Sequence, residues 1–121
     1  MAAHILISDD SISIRQMLKF TLNEANYEVI EAEDGLQALE LAKSRPFDLV
    51  ITDVNMPRLD GLSLVRELRA LSTYRFKPIL LLTTESDPEK KKIAKSAGAT
   101  GWIIKPFDPD KLLVALRKVL R

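Results

Sequence analysis

The chain has 121 residues, 46% hydrophobic and 29% charged, which predicts one domain over residues 1–121 with a real core and no room for a second folded unit. A formal net charge of +1 supplies no global field for nucleic acid or an acidic membrane surface, and the lack of cysteine excludes disulfides, thiolate metal sites and cysteine nucleophiles. Met1 runs into a strand-like segment too soon for a signal peptide, and no apolar run approaches the roughly 20 residues of a membrane span, so a soluble cytoplasmic protein is expected.

His4-Ile5-Leu6-Ile7 reads as a buried strand ending at Ser8-Asp9-Asp10. From Ser11 the apolar period lengthens: Ile14, Met17, Leu18, Thr21, Leu22 and Ala25 form the stripe of an amphipathic helix that Asn26-Tyr27 ends. Glu28 to Ala32 alternates as a second strand. Asp34 stands three residues before Gln37, an N-cap arrangement for a helix that runs to about Ser44 and is closed by Pro46. Leu49 to Ile51 is too short for a helix and rich in β-branched residues, so it reads as a third strand, leading to Asp53 and a loop marked by Pro57 and Asp60-Gly61. Asp60 caps a third helix carrying Leu64, Val65, Leu68 and Leu71.

Pro78 to Thr83 is a fourth strand. Ser86-Asp87-Pro88-Glu89 combines a Ser/Glu capping box with proline in the first turn of a fourth helix, which stops at Gly98. Gly101 to Ile104 is a fifth strand, followed by Lys105-Pro106. Asp108 and Pro109 then start a helix with Leu112, Leu113, Leu116, Val119 and Leu120 on its buried face. Five apolar strands alternating with five helices predict an α/β fold: a parallel sheet buried on both faces, doubly wound by right-handed crossovers.

The carboxyl ends of parallel strands share one edge, where such sheets meet ligands. Strand one delivers Asp9 and Asp10 there, strand three Asp53, strand four Thr83 and strand five Lys105. Singly, each has a plain structural reading as a cap, a strand end or a solvated charge. Together, three carboxylates repel one another unless a cation is present, and an all-oxygen donor set without His or Cys fits a hard divalent ion, Mg²⁺. A carboxylate beside Mg²⁺, a hydroxyl and an ammonium suits phosphoryl transfer, with Asp53 as nucleophile.

These residues carry a family resemblance that covers essentially the whole chain in order. Asp9-Asp10, Asp53-Val-Asn-Met-Pro-Arg-Leu-Asp-Gly61, Thr83 and Lys105-Pro106 resemble the receiver domain of two-component response regulators. The resemblance implies a flavodoxin-like sheet in the order 2-1-3-4-5, Asp53 as phosphoacceptor, and Mg²⁺ held by Asp10, by Asp9 through water, by Asp53 and by the backbone carbonyl of Asn55. It further implies Thr83 as switch hydroxyl, Lys105 as the lysine that pairs with the phosphoryl group, and a cis peptide at Lys105-Pro106. Thr84 stands where a small residue commonly follows the switch threonine, and its bulk is expected to slow attack by water; Asn55 and Glu85 occupy other rate-tuning positions. Trp102 stands where the family commonly has Tyr or Phe as a rotating switch aromatic; a fixed packing role is the alternative.

His4 lies at the start of strand one, remote from Asp53, so the phosphoryl donor must be another molecule. By resemblance that donor is a sensor histidine kinase. The segments Thr83 to Ser86 and Gly101 to Phe107 most resemble single-domain chemotaxis regulators of the CheY type, which implies the chemotaxis kinase and the flagellar motor switch as partners. Lys90, Lys91, Lys92 and Lys95 form a basic stretch, either a solvated face or part of a docking surface. Neither nucleic acid binding nor membrane insertion is expected. The chain reads as a signalling switch that catalyses only its own phosphorylation and dephosphorylation. The alternatives are a receiver in a non-chemotactic phosphorelay, passing phosphate to a phosphotransfer protein, an aspartate-nucleophile phosphohydrolase, which lacks a second acid at position 55, and a flavodoxin-like nucleotide carrier, whose phosphate loop would not be acidic.

Overall fold

A computed structural model describes residues 2–84 and 87–120. The elements are β1 (His4–Ser8), α1 (Ile12–Glu24), β2 (Glu28–Ala32), α2 (Gly35–Ser44), β3 (Leu49–Asp53), α3 (Gly61–Arg69), a single 3₁₀ turn (Ser72–Tyr74), β4 (Ile79–Thr83), α4 (Pro88–Ala97), β5 (Gly101–Ile104) and α5 (Pro109–Val119). The five strands form one parallel sheet in the order β2-β1-β3-β4-β5, the order that the resemblance implies.

Strand side chains alternate between the two faces of a sheet, and here each face has its own core. Leu6, Val50, Ile79 and Leu81 pack with Leu39, Phe47, Leu64, Val65, Leu68 and Ala94, the face covered by α2, α3 and α4. Ile5, Ile7, Leu49, Ile51, Leu80 and Leu82 pack with Leu18, Leu22, Leu112 and Leu116, the face covered by α1 and α5. Burial on both faces holds for β1, β3 and most of β4. The edge strands β2 and β5 are only half-buried, because each lacks a neighbour on one side. No helix among the described residues is long and apolar enough to cross a membrane.

Helix starts follow the caps read from the sequence in three of four cases. Asp34 accepts from the Gln37 N–H, Asp60 from Ser63 and Asp108 from Asp110. The exception is α4, whose N-cap is Asp87, accepting from the Glu89 N–H at 2.9 Å; Ser86, expected to form the capping box, lies outside the described residues. Gly98 ends α4 at φ 111°, the left-handed conformation that glycine takes without a Cβ penalty.

Three expectations need correction. Met17 is 50% exposed, although the helical period puts it on the stripe; the buried face of α1 narrows to Leu18 and Leu22. Leu71 lies beyond the end of α3. The turn at Ser72–Tyr74 was not foreseen, and it delivers a fully buried side chain: the Tyr74 hydroxyl lies 2.9 Å from the carbonyls of both Ala42 and Arg45 and accepts from the Phe47 N–H at 3.2 Å. Tyr74→Phe is therefore expected to cost about 1–3 kcal/mol in a urea titration, because buried backbone groups lose their partner.

Candidate phosphoacceptor site

The sheet order places β1 beside β3, and their outward connections run to opposite faces, which opens a crevice at the carboxyl ends of these strands. Asp53 is the last residue of β3 and is 7% exposed, so its carboxylate is held at the buried end of the strand. Asp9 follows β1 and is fully buried, while Asp10 is exposed. One carboxylate oxygen from each of Asp9, Asp10 and Asp53 lies within 4.8 Å of the others.

Asp9 and Asp53 are fixed by their surroundings. The Asp9 backbone donates to the Ala32 carbonyl, Asp9 Oδ1 accepts from the Ser11 N–H at 2.8 Å, and the Asp9 carbonyl accepts from Arg15 at 2.7 Å. Asp53 Oδ1 accepts from the Val54 N–H at 2.9 Å. Lys105 enters from the end of β5, its Nζ 3.0 Å from Asp9 Oδ2 and 3.1 Å from Asp53 Oδ1, with the side chain 17% exposed. Its backbone N–H donates to the Thr83 carbonyl at 2.8 Å, tying the ends of β4 and β5 together, and the Lys105-Pro106 peptide is cis.

Burial raises the pKa of Asp53, and the nearby Asp9 charge adds to the rise; Lys105 and the Val54 N–H oppose both without cancelling them. Burial alone would lower the Lys105 ammonium. Its close contacts and charge interactions with Asp9 and Asp53 outweigh that, and its pKa is raised. The lysine is thus held charged between two acids, one of which resists ionisation. Lys105 meets Asp9 Oδ2 at ion-pair distance but outside hydrogen-bond geometry, which leaves that buried oxygen without a donor. An orphaned buried carboxylate oxygen in an all-oxygen cluster fits a hard divalent cation.

A cavity of about 400 Å³ adjoins the acids between α3 and α4. Asn55, Thr83, Thr84 and Trp102 all stand on its wall, so these four sequence-read residues converge on one space. Asn55 and Thr84 are exposed, Thr83 and Trp102 half-buried. Glu85 lies outside the described residues. His4 sits at the other end of β1, its Nε2 3.2 Å from a Glu28 carboxylate oxygen on the surface.

Sequence reasoning missed the supports of the site. Met56 Sδ is 3.1 Å from Ser8 Oγ and 3.8 Å from Thr52 Oγ1, fastening the loop after β3 to the floor of the sheet. The same loop closes through Gly61 N–H to the Val54 carbonyl at 2.8 Å. At its tip Arg58 has φ 71° and the Leu59 N–H donates to Pro57 at 2.8 Å, a positive-φ γ-turn, which is a rare conformation. Met56 and Arg58 carry no local signal for these roles, whereas Ser11, the N-cap of α1, is a residue type that favours such a position.

Comparison with known proteins bears on the chain as a whole. The response regulator receiver domain family matches residues 5–117. The chain is 40% identical over 118 residues to chemotaxis protein CheY1 of Helicobacter pylori, covering 96% of this chain and 95% of that protein. It is 41% identical over 117 residues to a probable transcriptional regulator, ycf27, of Porphyridium aerugineum, covering 97% of this chain; there the chain spans 48% of the relative's length. The solved structure of Vibrio cholerae chemotaxis response regulator CheY4 superposes with a TM-score of 0.96 at 52% identity, covering 99% of this chain and all of that one. The chain belongs to the response regulator receiver domain family, the phosphoacceptor switches of two-component signal transduction, and is homologous within it to the CheY chemotaxis regulators.

Proposed function

We propose that residues 1–121 act as one receiver domain that is phosphorylated on Asp53 by a sensor histidine kinase of the chemotaxis type, works in the cytoplasm, and signals to the flagellar motor switch. The observation that carries this reading is the Lys105 ammonium, 3.0 Å from Asp9 and 3.1 Å from Asp53, which presents one buried acid to an incoming anion. Asp53 Oδ1 is engaged by Val54 and Lys105, so Oδ2 is the oxygen that attacks. The new O–P bond forms as the P–N bond of the donor phosphohistidine breaks, and the bonding pair returns to the imidazole nitrogen. Lys105 then turns from its carboxylate partners to the phosphoryl oxygens, and the Thr83 hydroxyl donates to the same group.

Asp9, Asp10, Asp53 and the Asn55 carbonyl would hold Mg²⁺, which when bound neutralises charge on the phosphoryl group. Thr84, Asn55 and Glu85 flank the path of an attacking water and tune the phosphate lifetime. Phosphorylation adds about −1.5 to −2 charge at Asp53. Thr83 and Lys105 close on that charge, and Trp102 and α4 follow toward a partner-binding state. The docking surface would include the basic stretch of α4, and the CheY identity of full-length relatives supports the choice of partner.

Beryllofluoride with Mg²⁺ mimics the phosphorylated state. Immobilised motor switch protein is expected to capture the loaded chain and not the free chain. Equal capture of both would overturn the proposed output, while leaving the phosphoacceptor chemistry to its own tests.

A further inference from the structure

Trp102 is the only tryptophan in the chain. It stands on β5 opposite Leu81 and is half-buried against the α3–α4 cavity. The Lys91 ammonium, one turn into α4, lies 4.8 Å from the centroid of a Trp102 ring. That is within the range at which a cation is attracted to an aromatic face, and indole is the strongest side-chain partner for it. Lys91 is also set apart from its neighbours. Lys90, Lys92 and Lys95 are exposed, and Lys92 faces Glu89 at 3.9 Å, whereas Lys91 is half-buried and has no carboxylate within ion-pair distance among the described residues.

We propose that Lys91 is the positioning residue for Trp102, holding the indole against α4 in the unphosphorylated protein. The contact joins an element that carries the docking surface to the strand that precedes Lys105, so a displacement of α4 reaches the indole through one side chain. About 400 Å³ of cavity, with both residues on its wall, gives the released ring room to turn inward. The consequence for signalling rests on Trp102 being the moving aromatic; the positioning itself rests on the contact.

The test uses tryptophan emission and its quenching by acrylamide in the full chain, with Mg²⁺ and without beryllofluoride. Lys91→Gln is expected to shift the balance from held to freed indole by about two- to fivefold, the factor carried by an exposed cation–π contact. Lys91→Arg retains a cation and should behave as the wild type. Lys92→Gln removes a neighbouring charge without touching the ring and should change nothing. Wild-type quenching in Lys91→Gln, or an equal change in Lys92→Gln, would overturn the proposal. Beryllofluoride added to the wild type reports separately: an unchanged spectrum there, beside an altered Lys91→Gln, removes the switch role of Trp102 and leaves the positioning intact.

Discussion

Asp53→Asn is expected to take up no phosphoryl group from a small acyl phosphate with Mg²⁺, where the wild-type chain gains one, as read by intact mass. An amide nitrogen and a neutral amide oxygen replace the proposed nucleophile, and no other carboxylate in the cluster combines burial at a strand end with the Lys105 contact and the Val54 N–H. Asp9 meets Lys105 too, but its Oδ1 is tied to Ser11 and its chain to Ala32.

The loss of function should come with no loss of stability. The pKa of Asp53 is raised above its ordinary 3.8, so the folded state binds this proton more tightly than the unfolded chain does. Ionised Asp53 therefore costs stability, and that cost grows as pH rises from the unfolded value through the raised folded one. At neutral pH without metal, Asp53→Asn should unfold at the same temperature or higher. Lys105 keeps Asp9 as a partner. The difference should shrink as pH falls through the raised pKa of the wild-type carboxyl. A variant clearly less stable at neutral pH would mean that the ion pair with Lys105 outweighs burial.

The second large effect concerns Gly61. It is the first residue of α3, its φ is not positive, and alanine favours helices over glycine by up to about 1 kcal/mol. Local reasoning thus expects Gly61→Ala to stabilise. The surroundings reverse the sign: a Cβ there would overlap the Asp53 carbonyl oxygen and lie 2.9 Å from Val54 Cα. Both are backbone atoms at the end of a central strand and cannot rotate away. A cost of about 3 kcal/mol is expected, lowering the melting midpoint by roughly 10 °C, with weakened phosphorylation because the displaced atoms carry Asp53. Gly101→Ala is the control. Its Cβ would meet Leu80 Cδ2 at an ordinary 3.5 Å, so a change within about 0.5 kcal/mol is expected. Equal melting of the two variants would show that the loop yields.

Gly61 also shows where sequence reading stops. Asp60-Gly61 was legible as a loop end and helix start, because turn and cap chemistry is local. That the glycine is required by the backbone of Asp53 is a contact between elements, which no local pattern records. Asp9, Asp53, Thr83 and Lys105 were legible for the opposite reason: each follows or ends an apolar run, and in a parallel sheet all such ends share an edge. Burial on both faces was legible as unbroken apolar runs in β1, β3 and β4. Tyr74 was not, since its partners Ala42, Arg45 and Phe47 lie some thirty residues away, at the end of α2 and in the connection after it. Met17 was misplaced because helical period gives a direction and not the width of the covered face; α1 buries only Leu18 and Leu22 fully.

The central claim is that Asp53 is the residue that carries the phosphoryl group. Borohydride reduces an aspartyl phosphate to homoserine, which marks the acceptor in a peptide map. After treatment with a small acyl phosphate and Mg²⁺, homoserine is expected at position 53 alone, and chelation of the metal beforehand should abolish it. Homoserine at Asp9 or Asp10, or at no position while the intact chain still gains a phosphoryl group, would contradict the account.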